Sequence, residues 1–210
     1  MATLSTKYDV AIIGAGHNGL VSACYLSKAG LSVLVLERNA ELGGATRSAK
    51  AFAGIDARLS VYSYLVSLLP QKIMDDLGIK IELLPRQTAS YSSTLEYGNL
   101  RELLLVNDAP DGNQEAFAKL TGSESDYRGY MELQAMQERL ASVIWPSLTE
   151  PLVSKEEMRS RLDDDGKRAW QSIIEEPLGE VLEGKISSDL VRGLLFTDAK
   201  IGASTHPQDP

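Results

Sequence analysis

The sequence is poor in cysteine, in histidine and in positive charge. Its one cysteine, Cys24, cannot form an internal disulfide, which predicts a reducing compartment and a small, buried, apolar role for this side chain. Its two histidines, His17 and His206, lie in a glycine-rich loop and in the C-terminal tail, so they indicate neither a metal pair nor a catalytic dyad. The formal net charge of −8 argues against nucleic acid and anionic membranes as partners, because both require a basic surface.

Targeting, membrane-spanning and nucleophilic motifs are also missing. Residues 1–7 are too short and too weakly charged for a secretory or transit peptide. The apolar stretch 19–36 is interrupted by Lys28 and Gly30 and ends at Glu37, which disfavours a membrane span. The sequence therefore predicts a cytoplasmic, globular protein and leaves contact with a membrane surface open. Serine, cysteine and histidine show no arrangement suited to nucleophilic catalysis, and no catalytic residue can be assigned.

What the sequence does contain is a strand, a glycine-rich turn, a helix and a second strand that ends on an acid. Residues 10–13 predict a strand buried on both faces of a parallel sheet. Gly14 permits the tight turn, Gly16 lets the backbone approach a pyrophosphate, and Gly19 lets the helix pack closely. Glu37 follows about 20 residues later, where a carboxylate accepts hydrogen bonds from ribose hydroxyls and repels the 2′-phosphate of NADP. The pattern predicts a dinucleotide-binding βαβ unit; the alternative is a unit whose glycines serve packing alone.

A second glycine motif follows the second strand. After Glu37-Arg38 the chain reads Gly43-Gly44-Ala-Thr-Arg47-Ser. Two adjacent glycines again indicate a close approach of the backbone to a ligand, and Arg47 offers a planar cation for phosphate or ring oxygens. An NAD-dependent dehydrogenase has no need of this second pair. A surface turn with a solvated arginine is the alternative.

Together, the two motifs resemble one branch of the FAD-dependent oxidoreductases. The run Gly14-Ala-Gly16-His-Asn18-Gly19-Leu, followed by the second motif, is similar to the phytoene desaturase-related family, closest to the pyridine nucleotide-disulfide oxidoreductase domain-containing proteins and carotenoid isomerases. A weaker likeness continues at residues 70–79 and 197–202. The resemblance implies FAD as cofactor, a lipophilic substrate that is oxidised or isomerised, and an α/β fold in which a Rossmann-like FAD-binding unit carries an inserted, partly helical α+β substrate domain.

The resemblance also implies which residues bind the cofactor. The predicted cofactor-binding residues are Gly14, Gly16, Asn18, Gly19, Glu37, Arg38, Gly43, Gly44 and Arg47. The glycines of the first motif and the asparagine would hold the pyrophosphate, the acid would hold the adenosine ribose, and the second motif would lie between pyrophosphate and flavin. No metal site is expected, since residues 163–166 lack the ligand spacing of a calcium loop and predict a solvated turn.

One departure from the family concerns length. Family members are considerably longer, and their last segment returns to the nucleotide domain with a glycine-rich stretch that contacts the flavin. This sequence shows no such stretch, so we expect an N-terminal fragment or a truncated relative that holds the adenine half of the FAD site. Exposed sheet edges would then favour self-association. The alternatives are a non-catalytic protein that keeps the fold for assembly or partner binding, and a small NAD-dependent dehydrogenase.

The remaining sequence predicts two domains, residues 1–88 for the cofactor and 89–210 for part of a substrate domain. Residues 55–65, with Tyr62 and Tyr64, predict a strand or loop near the flavin. The aromatic residues Trp145, Trp170 and Phe196 lie on or directly after predicted helices, where we expect core positions. The alternative is that they line a hydrophobic substrate pocket. The predicted elements begin with a helix at 70–77, a strand at 80–84 and a hairpin whose strands, 90–97 and 101–106, are joined across Gly98-Asn99. Helices are predicted at 114–120, 127–144, 155–170 and 178–196. The third of these is broken at 163–166, and the fourth is interrupted at Gly184.

Overall fold

The computed structural model describes residues 7–63, 65–66 and 68–209. They fall into two compact units that divide between Leu83 and Leu84. The sequence predictions made for residues 1–6 and for Tyr64 lie outside the described residues. The architecture is mixed α and β, which confirms the predicted fold class.

The first unit begins with the predicted βαβ arrangement. The strands β1 and β2 are parallel, with Val10 opposite Val33 and Ile13 opposite Leu36. The strands β3 and β4 form a short antiparallel hairpin further along the chain. The elements are β1 (Val10–Ile13), α1 (His17–Lys28), β2 (Val33–Leu36), a 3₁₀ turn (Gly44–Thr46), β3 (Ser48–Lys50), β4 (Arg58–Ser60) and α2 (Gln71–Leu77).

Burial in the first unit differs from the prediction. The strand β1 is not buried on both faces, because its residues alternate between half-buried and exposed and Ile13 is 89% exposed. Cys24, predicted to be buried, is exposed on α1, a helix with no buried residue. Burial on both faces needs a wider sheet between two layers, whereas the described residues form a two-stranded sheet here. Ala15 and Met74 are the buried apolar residues described in this unit.

Polar contacts join the two helices of the first unit. The hydroxyl of Tyr25 on α1 donates a hydrogen bond to the carboxylate of Asp76 on α2 over 2.8 Å, and Lys28 donates to the backbone carbonyl of Asp76. The helix α2 ends at Gly78, whose φ of 68° is left-handed, as the sequence predicts. The strand predicted at 80–84 is wrong. These residues have no hydrogen-bonded neighbouring strand among the described residues, and an unpaired segment is not a strand.

The second unit consists of one hairpin followed by helices. Its elements are β5 (Thr88–Glu96), β6 (Asn99–Val106), α3 (Pro110–Thr121), α4 (Ser125–Ile144), a 3₁₀ turn (Trp145–Leu148), α5 (Lys155–Ser160), α6 (Asp164–Trp170), a π-helical turn (Gln171–Glu175), α7 (Leu178–Lys185) and α8 (Asp189–Lys200). The hairpin loop is Tyr97-Gly98 rather than Gly98-Asn99, because Asn99 already pairs with Glu96. Both loop residues have positive φ, 51° and 81°, as a two-residue type I′ turn requires.

Two clusters of buried side chains form the core of the second unit. The first lies between the hairpin, α3, the α7–α8 connection and the start of α8, and its members are Leu103, Leu105, Phe117, Leu120, Ile186 and Val191. The second lies between α4, α5 and α6, and its members are Leu140, Met158, Leu162, Ala169 and Trp170. Trp170 is therefore a core residue, whereas Trp145 is 44% exposed.

The solvated turn predicted at 163–166 is wrong, because these residues begin α6. The carboxylate of Asp163 accepts a hydrogen bond from the backbone N–H of Gly166 over 2.7 Å and so caps the helix. Aspartates followed by a glycine are typical of turns in composition, but here they form the start of a helix. Among the described residues there is no group of three or more side chains that could hold a metal ion.

The predicted helix 178–196 divides at residues 186–188, two positions after Gly184. At this connection the buried carboxylate of Asp126 accepts hydrogen bonds from the backbone N–H groups of Ser187 and Ser188, over 2.8 and 3.0 Å, and from the Ser187 hydroxyl. Burial alone raises the pKa of Asp126, but these hydrogen bonds and the charge of Arg192 outweigh it and lower the pKa overall. Within the described part of the chain, no helix combines the length and apolar character needed to cross a membrane.

Candidate functional site

The first glycine-rich loop leaves β1 and is held at the end of β2. Gly14 has a φ of 98°, a conformation that favours glycine, and its N–H donates a hydrogen bond to the carbonyl of Leu36 over 2.7 Å. Ala15 is fully buried directly after this turn. The loop is therefore fixed to both strands before the helix α1 begins.

Packing requires a glycine at Gly19 but not at Gly16. A Cβ placed on Gly19 would lie 2.2 Å from the carbonyl oxygen of Gly14 and 3.4 Å from Cγ2 of Ile12, so only glycine lets α1 approach the turn. A Cβ placed on Gly16 would meet no heavy atom of the described residues within 4 Å. Packing thus explains Gly19, but it does not explain Gly16. The space beside Gly16 is open to a ligand.

The helix α1 begins directly after Gly16, next to this open space. Gly16 is the N-cap, no side chain caps the helix, and its first turn contains no acid. Asn18 lies exposed in that first turn. A helix start with no side-chain cap and no acid, together with the positive end of the helix dipole, favours an anion here.

Glu37 connects the end of β2 to the loop. One carboxylate oxygen, Oε2, accepts a hydrogen bond from the backbone N–H of Ala15 over 2.7 Å. The other, Oε1, accepts from the backbone N–H and the side-chain amide of Asn39 over 2.9 and 2.8 Å. The hydrogen bonds from Asn39 and Ala15 lower the pKa of Glu37, so the side chain is a carboxylate at neutral pH.

The second glycine motif packs against the first. The N–H of Gly43 donates to the carbonyl of Ala15 over 2.8 Å, and Gly43 forms an isolated parallel bridge with Gly16. Gly43 and Gly44 both have positive φ, 106° and 55°, and a Cβ on Gly44 would lie 3.0 Å from Cα of Gly16. The structure thus brings the two motifs together in one site, over a separation of more than twenty residues in the chain.

The two arginines of the predicted set lie at the exposed side of the site. Arg38 is exposed directly after Glu37. Arg47 follows the 3₁₀ turn, and its Nη1 forms an ion pair with Oε2 of Glu41 over 3.1 Å. This acid partner was not predicted from the sequence, and a ligand anion would have to compete with it for Arg47.

Sequence reasoning missed two groups that shape the site. One is the backbone N–H of Ala15, which binds the Glu37 carboxylate and carries no side-chain signal. The other is Asn39, which orients the same carboxylate. An asparagine two residues after the acid is a detectable signal, because its side chain often hydrogen-bonds to nearby groups in turns.

Comparisons with known proteins agree with this geometry. Residues 12–71 match the family of NAD(P)-binding Rossmann-like domains. The chain is 38% identical over 215 residues to an uncharacterized protein of Mycobacterium tuberculosis, with 100% of this chain and 40% of the relative covered. It is 30% identical over 233 residues to pyridine nucleotide-disulfide oxidoreductase domain-containing protein 2 of Mus musculus, with 99% and 39% covered. A carotenoid 3,4-desaturase of Haloarcula japonica is 53% identical over 44 residues, with 21% and 9% covered.

These relationships confirm the resemblance inferred from the motifs. The chain carries a Rossmann-like dinucleotide-binding domain, and its homologues include an oxidoreductase domain-containing protein and a carotenoid desaturase, in agreement with the FAD-dependent oxidoreductases. The chain spans about 40% of the length of the mycobacterial relative. The individual roles of the predicted cofactor-binding residues stay predictions.

Proposed function

We propose that the first unit of this chain binds the ADP part of FAD, as a portion of an oxidoreductase that acts on a lipophilic substrate. The observation that carries the proposal is the junction of the two glycine motifs, where the N–H of Gly43 bonds to the carbonyl of Ala15 and Gly44 lies against Gly16. The matching Rossmann-like family supports a flavin or nicotinamide dinucleotide as the ligand.

The diphosphate of the cofactor would lie beside Gly16 at the start of α1. The open space at this glycine allows phosphate oxygens to approach the backbone, and the uncapped N–H groups of α1 would donate to them. Asn18, exposed in the first turn, adds an amide donor. The Gly19 position keeps the helix close to the turn, so these donors are held in place before the ligand arrives.

The adenosine ribose would bind to the carboxylate of Glu37. Its Oε1 already accepts two hydrogen bonds, whereas its Oε2 accepts one from Ala15. A carboxylate oxygen accepts about two hydrogen bonds, so Oε2 retains one site for a ribose hydroxyl. The lowered pKa of Glu37 keeps this acceptor charged at neutral pH, and that charge disfavours a 2′-phosphate.

FAD is favoured over NAD because of the second glycine motif. The positive φ of Gly43 and Gly44 and their contact with Gly16 place a second stretch of bare backbone against the loop. Bound FAD would supply a hydride acceptor for a carbon–hydrogen bond of the substrate, while the protein would supply placement and electrostatics. The name of the desaturase relative supports a hydrophobic substrate. We also propose that this chain is the N-terminal part of such an enzyme and that it divides into domains 1–88 and 89–210.

Self-association is a further part of the proposal. The parallel sheet of the first unit exposes Ile13 (89%) and Leu36 (50%), which are apolar residues at the ends of paired strands. Exposed apolar residues on a short sheet with open edges favour contact between copies. Light scattering after gel filtration should show a mass above that of one chain, and a monomer at tens of micromolar would contradict this part.

The test of the cofactor proposal is a titration with FAD, NAD and NADP, with retained ligand measured by absorbance after gel filtration. We expect FAD to be retained best. The variant Glu37→Gln should weaken FAD binding by about tenfold or more, because a charged acceptor is lost. The matched control is Glu82→Gln, which removes an exposed acid from the same unit.

The outcome is read together with circular dichroism, which checks that both variants keep the helical content. Equal FAD affinity in the wild-type chain and in Glu37→Gln would contradict the ribose role. Preferential retention of NAD would contradict FAD as the cofactor.

A further inference from the structure

The β3–β4 hairpin places two cations directly opposite each other. In the antiparallel register, Lys50 pairs with Arg58. Opposite residues of an antiparallel pair lie on the same face, and like charges at this position destabilise the pair. The strands are three residues long, and the exposed ion pair of Lys50 with Asp56 offsets only part of this repulsion. An anion between the two side chains would remove it.

These cations line an open depression that also contains Arg47. Residues 39–41 and Ala49 complete its lining. Three cations line the depression, and two acids pair with them, Glu41 with Arg47 and Asp56 with Lys50, which leaves one positive charge in excess. This local excess of positive charge lies in a chain whose formal net charge is −8. The depression thus has the opposite charge to the chain as a whole.

The present partners of the three cations are weak or neutral. Arg47 pairs with Glu41 over 3.1 Å, Lys50 pairs with Asp56 over 2.8 Å, and both pairs are exposed to solvent. Exposed ion pairs of this kind contribute little to stability. Arg58 donates to the uncharged carbonyl of Ser48 over 2.7 Å. A multiply charged anion would compete effectively for all three side chains.

We propose that this depression is a phosphate-binding site in which Lys50 and Arg58 act together with Arg47. The ligand is a phosphate or diphosphate group, because a planar guanidinium donates two parallel hydrogen bonds to such oxygens and a lysine adds a point charge. The inference goes beyond the cofactor proposal, since Lys50 and Arg58 are not among the predicted cofactor-binding residues. The phosphate belongs either to the dinucleotide itself or to a separate phosphate ester.

The test uses inorganic pyrophosphate and isothermal titration calorimetry of the full chain at low ionic strength. The double variant Lys50→Gln/Arg58→Gln should bind pyrophosphate about tenfold more weakly than the wild-type chain. The matched control is Lys72→Gln/Lys80→Gln, which removes the same two charges from exposed positions in the same unit. We expect less than about a twofold change in the control.

Two results would overturn the proposal. One is the absence of saturable pyrophosphate binding to the wild-type chain. The other is an equal loss in both double variants, which would indicate a general effect of net charge. Thermal melts monitored by circular dichroism establish that each variant is folded; if the double variant is unfolded, the single variants Lys50→Gln and Arg58→Gln carry the same comparison.

A second titration identifies the source of the phosphate. The double variant Lys50→Gln/Arg58→Gln is titrated with FAD. Weakened FAD binding assigns the depression to the diphosphate of the dinucleotide, and unchanged FAD binding with weakened pyrophosphate binding assigns it to a separate phosphate ester. The variant Glu37→Gln separates this proposal from the cofactor proposal. It should weaken FAD and leave pyrophosphate binding unchanged, because pyrophosphate has no ribose.

Discussion

Replacing Gly16 by alanine separates ligand approach from folding. Gly16 has a φ of −73° and a ψ of 174°, which alanine adopts without strain, and the added methyl group would meet no heavy atom within 4 Å in the part of the chain that the structure describes. Alanine is a poorer N-cap than glycine by several tenths of a kcal/mol, and it restricts the unfolded chain by a similar amount. The free energy of unfolding should therefore change by less than about 1 kcal/mol.

The effect on binding should be much larger. A phosphate in van der Waals contact with Cα of Gly16 would be displaced by the methyl group, and at least one backbone N–H would lose its charged acceptor. One hydrogen bond to a charged group is worth about 1.5–3 kcal/mol. The dissociation constant for FAD should thus rise by about 10- to 150-fold.

The assay pairs a flavin titration with urea unfolding of the same preparation. The expected result is a large rise in the dissociation constant with an unchanged unfolding midpoint. An unchanged dissociation constant in a stably folded Gly16→Ala chain would refute the reasoning, because it would show that no ligand approaches this backbone. A lowered midpoint would show that the space beside Gly16 is filled by protein.

Two further variants test packing. In Gly19→Ala the new methyl group would lie 2.2 Å from the carbonyl oxygen of Gly14, a backbone atom that cannot turn away, so we expect urea unfolding to show a loss of about 1–3 kcal/mol in the first unit. In Asp126→Asn an amide N–H₂ would replace an acceptor of the Ser187 and Ser188 N–H groups, and thermal melts at pH 7 should show a loss of about 1–3 kcal/mol. Because the folded pKa of Asp126 is lowered, its contribution is present above the ordinary value of about 3.9 and is lost as the pH falls through the folded value, so the two chains should converge in stability there.

Local sequence signals predicted the elements that depend on near neighbours. The βαβ unit follows from glycines spaced for one turn and one helix start, and the helix predicted at 127–144 is observed at Ser125–Ile144 because its apolar period is contained in the segment itself. The helix end at Gly78 follows from a single residue that tolerates positive φ. In each case the information lies within a few residues of the element.

Predictions that depend on distant partners failed. The segment 80–84 has the composition of a strand, but a strand also needs a neighbour, which the composition does not supply. The burial predicted for β1 and for Cys24 assumed layers on both faces of the sheet, and the described residues of the first unit do not provide them. The break between α7 and α8 is fixed by Asp126, about sixty positions earlier in the chain, which no local pattern at Gly184 could show.

The candidate site also combines features that local sequence predicts with contacts that it does not. The spacing of Glu37 from the glycines was visible in the sequence, but its hydrogen bond to the N–H of Ala15 was not, because that group has no side-chain identity. The pairing of Gly43 with Gly16 follows from how the chain returns to the loop. The ion pair of Arg47 with Glu41 joins two residues that the motif leaves unrelated.

The charge of this chain acts differently at long and at short range. A net charge of −8 opposes an extended polyanion, which must neutralise many phosphates along its length against an acidic surface. A single phosphate needs only a few donors at hydrogen-bond distance. Acids more than about 10 Å away are largely screened at 0.1 M salt. The charge of the depression is therefore set by its own groups, which are three cations against their two acidic partners, Glu41 and Asp56. The composition that argues against nucleic acid is therefore consistent with local phosphate sites, both beside Gly16 and between Lys50 and Arg58.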